Sequence, residues 1–439
     1  MNRKEKYLFC FLLVCLCLCS SCAQVYYRGF IRPADIVYER QDKPVARPNP
    51  CHDYKNYIPD TNRLHFSPMR YVRINIHFIN SVDSSQNFKP QEGIRFAQEL
   101  VNHANYLLSI NHKMFLPTGN NTPVLPTQYR YVLTGKPDDP TDLGVYFHYN
   151  DSLFICNKKE YKQRSIYSLF YGGQFDLYGV QKNEVLNIFF LEHPPDSLGS
   201  PTYKFTTNGV GKPDWAKMVG AFHQYTINKD PVTGASNYTG GSIAGLFNHE
   251  LGHSVGLAHT WNLNDGCDDT PMNPNHWNFP EVDPEKHNEV SNNVMDYNAF
   301  QNAWTPCQIG KVHLNCATPN SLQRRIIRPD WCHYDPTQPI QICPGDTVVW
   351  LGNKDFNTDI IVHRRAQLTI HCTVSLPQGA TIKVKKGGTL VLDGATITNL
   401  CNQKWSGIEV EKRFKKRSRI VLKRNAQLLN MQHELHNSK

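Results

Sequence analysis

The segment that decides the fold of this chain reads His249-Glu250-Leu251-Gly252-His253-Ser254-Val255-Gly256-Leu257-Ala258-His259. It has the form HExxHxxGxxH, and on a helix its first two histidines project from one face because they are four residues apart. Gly256 can adopt a positive φ, which would end the helix and let His259 return as a third ligand. Three imidazoles leave one coordination position open, which is typical of a catalytic zinc site.

Glu250 follows the first of these histidines directly and can reach a water bound to the same metal. The segment therefore predicts that His249, His253 and His259 bind zinc and that Glu250 acts as general base on a zinc-activated water. Ser242 follows a loop rich in helix breakers, and we expect it to cap the helix. The alternatives are a helix with three solvated histidines, or a zinc site in an inactive relative.

Two later runs narrow this interpretation, namely Cys267-Asp268-Asp269-Thr270-Pro271 and Asn293-Val294-Met295-Asp296-Tyr297. Together with the motif and its continuation to Trp261, they resemble the pappalysin family of metzincin metallopeptidases, which includes ulilysin-like and cytophagalysin-like bacterial enzymes. The resemblance covers residues 68–320 and is strong at 249–271 and 293–297. It implies a catalytic domain of the α/β (α+β) class, with a mixed sheet, a backing helix and an active-site helix. The implied activity is zinc-dependent endopeptidase action on proteins or peptides.

The resemblance also implies roles for residues outside the helix. Met295 would form the Met-turn, an apolar floor beneath the zinc ligands, and its alternative is a plain core methionine. Tyr297 would hydrogen-bond the oxyanion during catalysis, with a structural tyrosine as the alternative. Asp268, Asp269 and Thr270 fall where related enzymes have a loop with calcium sites, although a capped surface turn explains these residues equally well.

Patterns of apolar residues predict the extent of this domain. Residues 72–78 alternate apolar and polar side chains, as in a half-buried strand. Apolar residues at spacings of three and four across 94–108 predict an amphipathic helix. Further strands and helices extend the pattern, so we place the catalytic domain at residues 67–325.

The C-terminal region has a different character. Residues 326–343 are Pro-rich and indicate a linker, whereas 344–439 indicate an all-β accessory domain. Similar segments begin at Ile361, Ile382 and Ile420, and this repeat favours a parallel β-solenoid over a β-sandwich. Because the chain stops soon after a repeat, the sequence is expected to be a truncated portion of a longer protein.

The N-terminus predicts export from the cell. Basic residues precede an apolar run of 13 residues that ends at Cys19 and is too short to span a bilayer. We therefore expect residues 1–23 to be a signal peptide and the protein to be secreted or held at the cell surface. Acylation of Cys22 as a lipoprotein anchor is the less favoured alternative. Residues 24–66 indicate a pro-segment or N-terminal extension with little structure of its own.

Export affects how the cysteines are interpreted. Nine of the 14 follow the predicted signal peptide, and in an oxidising compartment most should pair, leaving one over. Cys267 and Cys307 flank the Met-turn segment and are candidates for a disulfide, although spacing cannot establish connectivity. Cys51 is a candidate latency switch whose thiolate would occupy the open zinc position. A plain disulfide is the alternative for Cys51.

The net charge of +9 does not point to nucleic acid. The predicted signal peptide contributes +2 and residues 404–424 contribute +7, so the rest of the chain is neutral. The run 404–424 is a candidate for contact with an anionic polysaccharide or membrane, with a solvated face as the alternative. The composition says nothing about the oligomeric state.

Two further functions compete with the peptidase. One is a cell-surface adhesion or glycan-binding protein with a vestigial peptidase domain. The other is a polysaccharide lyase in the C-terminal domain, which needs clustered carboxylates on one β face. Residues 361–424 contain only Asp393, Glu409 and Glu411 as acids, which disfavours the lyase.

Overall fold

The computed structural model describes residues 27–39, 49–157, 165–203, 206–260, 265–271, 290–413 and 416–433. The chain forms two compact units, a central unit (residues 53–328) and a terminal unit (residues 1–52 and 329–439). The predicted signal peptide, including Cys22, and Trp261 lie outside the described residues. Within the described ranges, no helix is both long enough and apolar enough to cross a membrane.

The described strands are β1 (Tyr27–Phe30), β2 (Ile36–Tyr38), β3 (Arg70–Asn80), β4 (Tyr129–Leu133), β5 (Val145–Tyr149), β6 (Leu186–Leu191), β7 (Asn208–Gly211), β8 (Trp215–Val219), β9 (Ile340–Ile342), β10 (Thr347–Trp350), β11 (Lys354–Asp355), β12 (Ile360–Val362), β13 (Gln367–Ile370), β14 (Thr373–Ser375), β15 (Thr381–Val384), β16 (Thr389–Asp393), β17 (Thr396–Thr398), β18 (Gly407–Arg413), β19 (Lys416–Arg417), β20 (Arg419–Lys423) and β21 (Gln427–Leu428). The α-helices are α1 (Pro90–Ile110), α2 (Gly173–Tyr178), α3 (Pro195–Leu198), α4 (Ala221–Ile227), α5 (Ala244–Ser254), α6 (Pro306–Ala317) and α7 (Leu322–Arg325). Short 3-10 helices span Pro33–Asp35, Pro50–His52, Tyr54–Tyr57, Leu64–Phe66, Gly240–Ile243 and Asp330–Cys332.

A mixed sheet forms the middle of the central unit. Among the described strands its order is β4-β3-β6-β8-β7, and β5 pairs with β3 further along that strand than β4 does. All neighbouring pairs are parallel except β7–β8, so an antiparallel strand lies at one edge. The predicted mixed α/β architecture is confirmed.

Strand β3 is covered on both faces, which the alternating pattern did not indicate. Ile74 and Phe78 are fully buried, but so are the polar Asn75 and His77 on the opposite face. The Nε2 atom of His77 lies 2.9 and 3.0 Å from the side-chain oxygens of Asn75 and Asn187. These hydrogen bonds compensate for the burial. The prediction of a half-buried strand is therefore wrong, because the polar side chains form a hydrogen-bonded layer rather than a solvated face.

Helix α1 packs beside this sheet as the predicted backing helix. Its buried side chains include Phe96, Leu100 and Ala104, at the spacing of an apolar stripe. The Phe96 ring stacks on Phe88 with centroids 4.4 Å apart, and Phe88 meets Phe78 of β3 at 5.2 Å. Full burial of each such side chain stabilises the fold by about 1.5–3 kcal/mol.

The terminal unit is built from short, mostly parallel strands. Its sheets have the orders β1-β18-β15-β12-β9, β10-β13-β16-β20-β2 and β11-β14-β17-β21, and β19 pairs with β18. Ile340, Ile360, Ile382 and Ile408 lie side by side across the first of these sheets and all are buried. The strand-rich C-terminal region agrees with the sequence analysis.

The structure corrects one member of the proposed repeat. Ile361 and Ile382 lie on neighbouring strands, offset by one residue. Ile420 lies in a different sheet, where it pairs with Leu390. Similar apolar patterns recur in different sheets because every strand that buries one face alternates its side chains in the same way.

Part of the N-terminal extension belongs to the terminal unit. β1 pairs antiparallel with β18, and β2 pairs parallel with β20. Arg28 forms an ion pair with Glu409 at 2.8 Å, across 381 residues of sequence. The expectation of little structure in residues 24–66 is therefore wrong for these strands. The strands that pair with β1 and β2 are so distant in sequence that no local pattern predicts the pairing.

Three disulfides cross-link the described residues, Cys51–Cys372, Cys267–Cys307 and Cys332–Cys401. The candidate pairing of Cys267 with Cys307 is confirmed. Cys156, Cys316 and Cys343 lie outside these bonds, so the expectation of a single left-over cysteine is wrong. Cys156 and Cys316 are buried, where a thiol packs as a small apolar group.

Candidate active site

The HExxH motif lies on α5, and the chain turns directly after it. The 3-10 turn Gly240–Ile243 leads into α5, and the Ser242 hydroxyl accepts a hydrogen bond from the Thr239 N–H at 3.0 Å. The prediction that Ser242 caps the active-site helix is wrong, because Ile243 holds the N-cap position of α5 without a side-chain cap. Ser242 instead belongs to the preceding turn, whose N-cap is Thr239. After Val255 the chain reverses at Gly256, whose φ of 96° confirms the predicted turn.

The three histidines converge on one point. The Nε2 atom of His259 lies 3.2 Å from that of His249 and 2.9 Å from that of His253. The Nδ1 atom of His249 lies 2.7 Å from the Val294 carbonyl, and that of His253 lies 3.0 Å from the Leu257 carbonyl. Because a carbonyl only accepts, both Nδ1 atoms donate and both Nε2 atoms carry lone pairs. Lone pairs that face one another favour a cation between them, so the arrangement suits a metal ion.

Burial keeps these imidazoles neutral. Desolvation lowers the pKa of His249 well below its ordinary value, and the neighbouring histidines lower it further. The pKa of His259 falls to about 3, first through burial and then through His253. Burial also lowers the pKa of His253, against the opposing hydrogen bond to Leu257. Since neutral imidazole is the form that binds metals, all three side chains are available as ligands at neutral pH.

Glu250 lies beside the histidines and is 5% exposed. Burial raises the pKa of Glu250 to about 8, and a hydrogen bond from the Gly211 N–H opposes that shift. Edge strand β7 passes close to this carboxylate. A Cβ added to Gly209 would lie 2.7 Å from the Glu250 Cγ, and one added to Gly211 would lie 1.9 Å from the Glu250 carbonyl oxygen. The sequence analysis did not identify these two glycines as part of the site. The only signal for them in the sequence was the short run Asn208–Gly211.

Met295 and Tyr297 also reach this site. Met295 is fully buried. Its Sδ packs against α5 at Gly252, between the first two histidines, since a Cβ added to Gly252 would lie 2.5 Å from that sulfur. The Tyr297 ring centroid lies 5.2 Å from that of His259. Burial raises the pKa of Tyr297, and the negative charge of Glu250 raises it further. The structure thus brings together the motif, the methionine and the tyrosine.

A hydrogen-bond network positions the segment that carries Met295. Asn293 and Gln308, both buried, exchange two side-chain hydrogen bonds of 2.9 and 2.8 Å. The Asn293 side chain also accepts the Met295 N–H at 2.9 Å. Since the adjacent Val294 carbonyl orients His249, α6 helps to place a histidine of α5. The sequence contained no signal for this network, because its members are polar residues on separate elements.

The described part of the predicted calcium loop is occupied by protein contacts. Asp269 accepts the Cys307 N–H at 2.9 Å, and Thr270 donates to Asp265 at 2.6 Å. The sulfurs of Cys267 and Cys307 lie near the Asp269 carboxylate, but they are bonded to each other and are not metal ligands. Calcium binding stays a prediction.

Asp268 and Cys51 are the remaining predicted residues. Asp268 lies near Tyr54, where its charge adds to the effect of burial in raising the tyrosine pKa. Cys51 is bonded to Cys372 within the terminal unit. A disulfide sulfur is not a thiolate, so Cys51 cannot bind zinc in this structure. The latency-switch prediction is therefore wrong, and the disulfide alternative holds.

An open cleft of about 740 Å³ runs beside Glu250 and His249. Residues 206–209, at β7, line one side of it, and residues 297–301 line another. Side chains from α5 and α1 also line the cleft, as do Leu169, Phe170 and Tyr238. A cleft of this size can admit several residues of an extended peptide.

The sequence matches no protein-family model and no curated protein. Among solved structures, mirolysin in complex with compound 9 is 18% identical, with a TM-score of 0.38 and coverage of 59% of this chain and 96% of that chain. Mature mirolysin from Tannerella forsythia with a cleaved peptide is 18% identical, with a TM-score of 0.36 and the same coverages. A promirolysin mutant from Tannerella forsythia is 16% identical, with a TM-score of 0.36, and covers 59% of this chain and 84% of that chain. Likenesses at this level carry no conclusion about activity, which rests on the geometry of the site.

Proposed function

We propose that the central unit is a secreted, zinc-dependent endopeptidase related to the pappalysins. One observation carries the proposal: three neutral imidazoles point their Nε2 atoms at one another beside a buried glutamate in an open cleft. Two of those imidazoles are oriented by backbone carbonyls, which is the support that metal-binding histidines usually have.

The donor set fits zinc. Tetrahedral zinc with Zn–N bonds of about 2.05 Å separates its nitrogen ligands by about 3.3 Å. The Nε2 separations of 3.2 and 2.9 Å are close to that value. A zinc ion held by His249, His253 and His259 would supply Lewis acidity and lower the pKa of a bound water to about 7.

Glu250 and Tyr297 supply the remaining chemistry. The Glu250 carboxylate, held by the Gly211 N–H, accepts a proton from the attacking water and passes it to the leaving amine. A zinc ion held by the neighbouring histidines would oppose the effect of burial on the pKa of Glu250, because a nearby cation favours the carboxylate. The Tyr297 hydroxyl stays protonated, since its pKa is raised, and can donate a hydrogen bond to the developing oxyanion.

Edge strand β7 offers a way to hold the substrate. Among the described strands it pairs only with β8, so the backbone groups of its other edge, apart from the Gly211 N–H that Glu250 accepts, could pair with an extended peptide. Main-chain pairing at this edge would lay the peptide beside Glu250, because Gly209 and Gly211 bring the strand that close.

The terminal unit is proposed to be a parallel β-solenoid accessory domain. The parallel register of Ile340 with Ile360, and of Ile360 with Ile382, supports successive coils. Contact of residues 404–424 with an anionic surface stays a prediction. Arg419 and Lys423, within the described part of that run, both form ion pairs with Glu39.

The decisive experiment replaces Glu250 by alanine. Zinc-loaded wild-type protein should cleave casein or a peptide library, whereas Glu250→Ala should lose cleavage and keep about one zinc per chain. Glu184→Ala, which removes an exposed carboxylate with a long ion pair to Arg73, should behave like the wild type. Cleavage retained in Glu250→Ala would overturn the proposal. A wild type that binds zinc but cleaves nothing would favour the adhesion protein with a vestigial peptidase domain.

A further inference from the structure

One part of the cleft beside the proposed catalytic residues is lined by apolar side chains. It extends from Glu250 along the N-terminal half of α5 to side chains of α1. Its apolar lining comes from separate elements and consists of Leu107, Leu169, Phe170, Ile243, Leu246 and Phe300. The Gly245 backbone in the same wall is packed closely, since a Cβ there would lie 3.1 Å from the Phe300 carbonyl oxygen. A substrate side chain that enters this part of the cleft would therefore contact these apolar side chains.

Several polar side chains that line the cleft already have protein partners, namely Thr207, Tyr238, Asn298 and Gln301. Asn298 uses both ends of its amide on backbone groups of its own segment. Gln301 donates to the Asp296 carbonyl at 3.2 Å. The hydroxyls of Thr207 and Tyr238 bond to each other at 2.7 Å. Groups engaged in this way offer little to a charged side chain of a substrate, which would exchange strong hydration for weak contacts.

The cleft also lacks a spare negative charge. Glu250 is the only carboxylate among the described residues that line it, and Glu250 is held by Gly211 beside the histidines. A lysine or arginine side chain of a substrate would therefore find no countercharge among the described residues of the lining apart from Glu250.

We infer that this cleft selects substrates with a large apolar side chain, such as Leu, Met or Phe, next to the cleaved bond, and discriminates against Lys and Arg there. Leu107 and Leu246 are the specificity-determining residues, because they present hydrocarbon to the pocket from two different helices. The inference rests on the proposed function and deepens it by naming the substrate class. The physical basis is that an apolar side chain gains from burial here, whereas a cation only loses its hydration.

The test uses the full chain loaded with zinc and a peptide library that varies the residues on both sides of the cleaved bond. Products are identified by mass spectrometry, and kcat/KM is then measured on matched peptides that differ only by Leu or Arg at the selected position. We expect at least about a tenfold preference for the Leu peptide. Leu107→Glu should narrow or reverse that ratio, because it supplies the missing countercharge. Ser109→Glu, on an exposed position of the same helix outside the lining, should leave the ratio unchanged.

The outcomes separate the two proposals. Wild-type cleavage next to Lys or Arg would overturn this inference and leave the peptidase assignment intact. A zinc-loaded wild type that cleaves no member of the library would overturn the peptidase assignment and, with it, this inference. If Leu107→Glu does not fold, Leu246→Glu tests the same pocket from α5. A folded variant of either residue with an unchanged Leu-to-Arg ratio would refute the assignment of the pocket.

Discussion

Replacing Gly211 by alanine should separate the proposed general base from the edge strand that supports it. The new Cβ would lie 1.9 Å from the Glu250 carbonyl oxygen and 3.0 Å from the Cβ of His253. Carbon and oxygen normally approach to about 3.3 Å, so β7 and α5 would have to part by about 1.4 Å. The oxygen belongs to the backbone, so no side-chain rotation can relieve the clash.

The expected cost follows from that displacement. A shift of about 1 Å in a catalytic group costs on the order of 100-fold in rate. We therefore expect kcat/KM of Gly211→Ala to fall at least about 100-fold, which corresponds to about 2.7 kcal/mol of transition-state stabilisation. Zinc content should stay near one per chain, because the carbonyls of Val294 and Leu257 still orient the first two histidines.

The assay combines kcat/KM on a fluorogenic peptide, zinc content by elemental analysis, and near-UV circular dichroism as a check of folding. Gly199→Ala is the matched control, since a Cβ there meets nothing within 4 Å, and it should retain full activity. Gly209→Ala is a second variant, in which the new Cβ would press on the Glu250 side chain at 2.7 Å. A folded Gly211→Ala protein with wild-type kcat/KM would refute the role of β7 in positioning the base.

Three further variants test the surroundings of the site. Asn293→Ala leaves the buried Gln308 amide without its partner and should lower the free energy of unfolding by about 1–3 kcal/mol, measured by urea denaturation. An unchanged urea midpoint would contradict a stabilising role of this hydrogen-bond network. Cys51→Ser breaks the disulfide to Cys372, which joins residues 321 apart in sequence. It should lower the stability of the terminal unit by about 2–5 kcal/mol, measured in a thermal scan, and leave peptidase activity unchanged. A gain in peptidase activity would support the latency-switch hypothesis. Burial raises the pKa of Glu192 to about 8 from an ordinary value of 4.5. Between these two pH values the folded state binds more protons than the unfolded state. The free energy of unfolding therefore falls as the pH rises through that window. Glu192→Gln should flatten this fall between pH 5 and pH 8, and an unaltered pH profile of the melting temperature would contradict it.

The active-site helix shows how much a local pattern can predict. Two histidines four residues apart share a helix face wherever the helix lies, and Gly256 turns the chain because the backbone there needs a positive φ. These are properties of a few neighbouring residues, so the sequence predicted His249, His253, His259 and Glu250 as one cluster. Met295 and Tyr297 came from a family resemblance, and the structure brings both to that cluster.

The sequence did not predict the contacts between segments that are far apart in the chain. The bonds from Asn293 to Gln308, and the approach of Gly211 to Glu250, join separate elements and leave no periodicity in the chain. Cys51 illustrates the same limit, since an odd count of cysteines left its partner open and only the fold brings it to Cys372.

The sequence by itself thus predicted His249, His253, His259 and Glu250 as one cluster, because spacing along one helix and turn is enough to bring them together. The mixed α/β class followed from the pattern of strands and helices and from the family resemblance. Only the tertiary structure decided which carbonyls orient the histidines and how closely β7 approaches Glu250. It also decided which apolar side chains share the cleft with Glu250, the only carboxylate among the described residues of the lining. The physical reason is that metal ligation begins with local geometry, whereas orientation, desolvation and the shape of a pocket arise when residues far apart in the chain pack against one another.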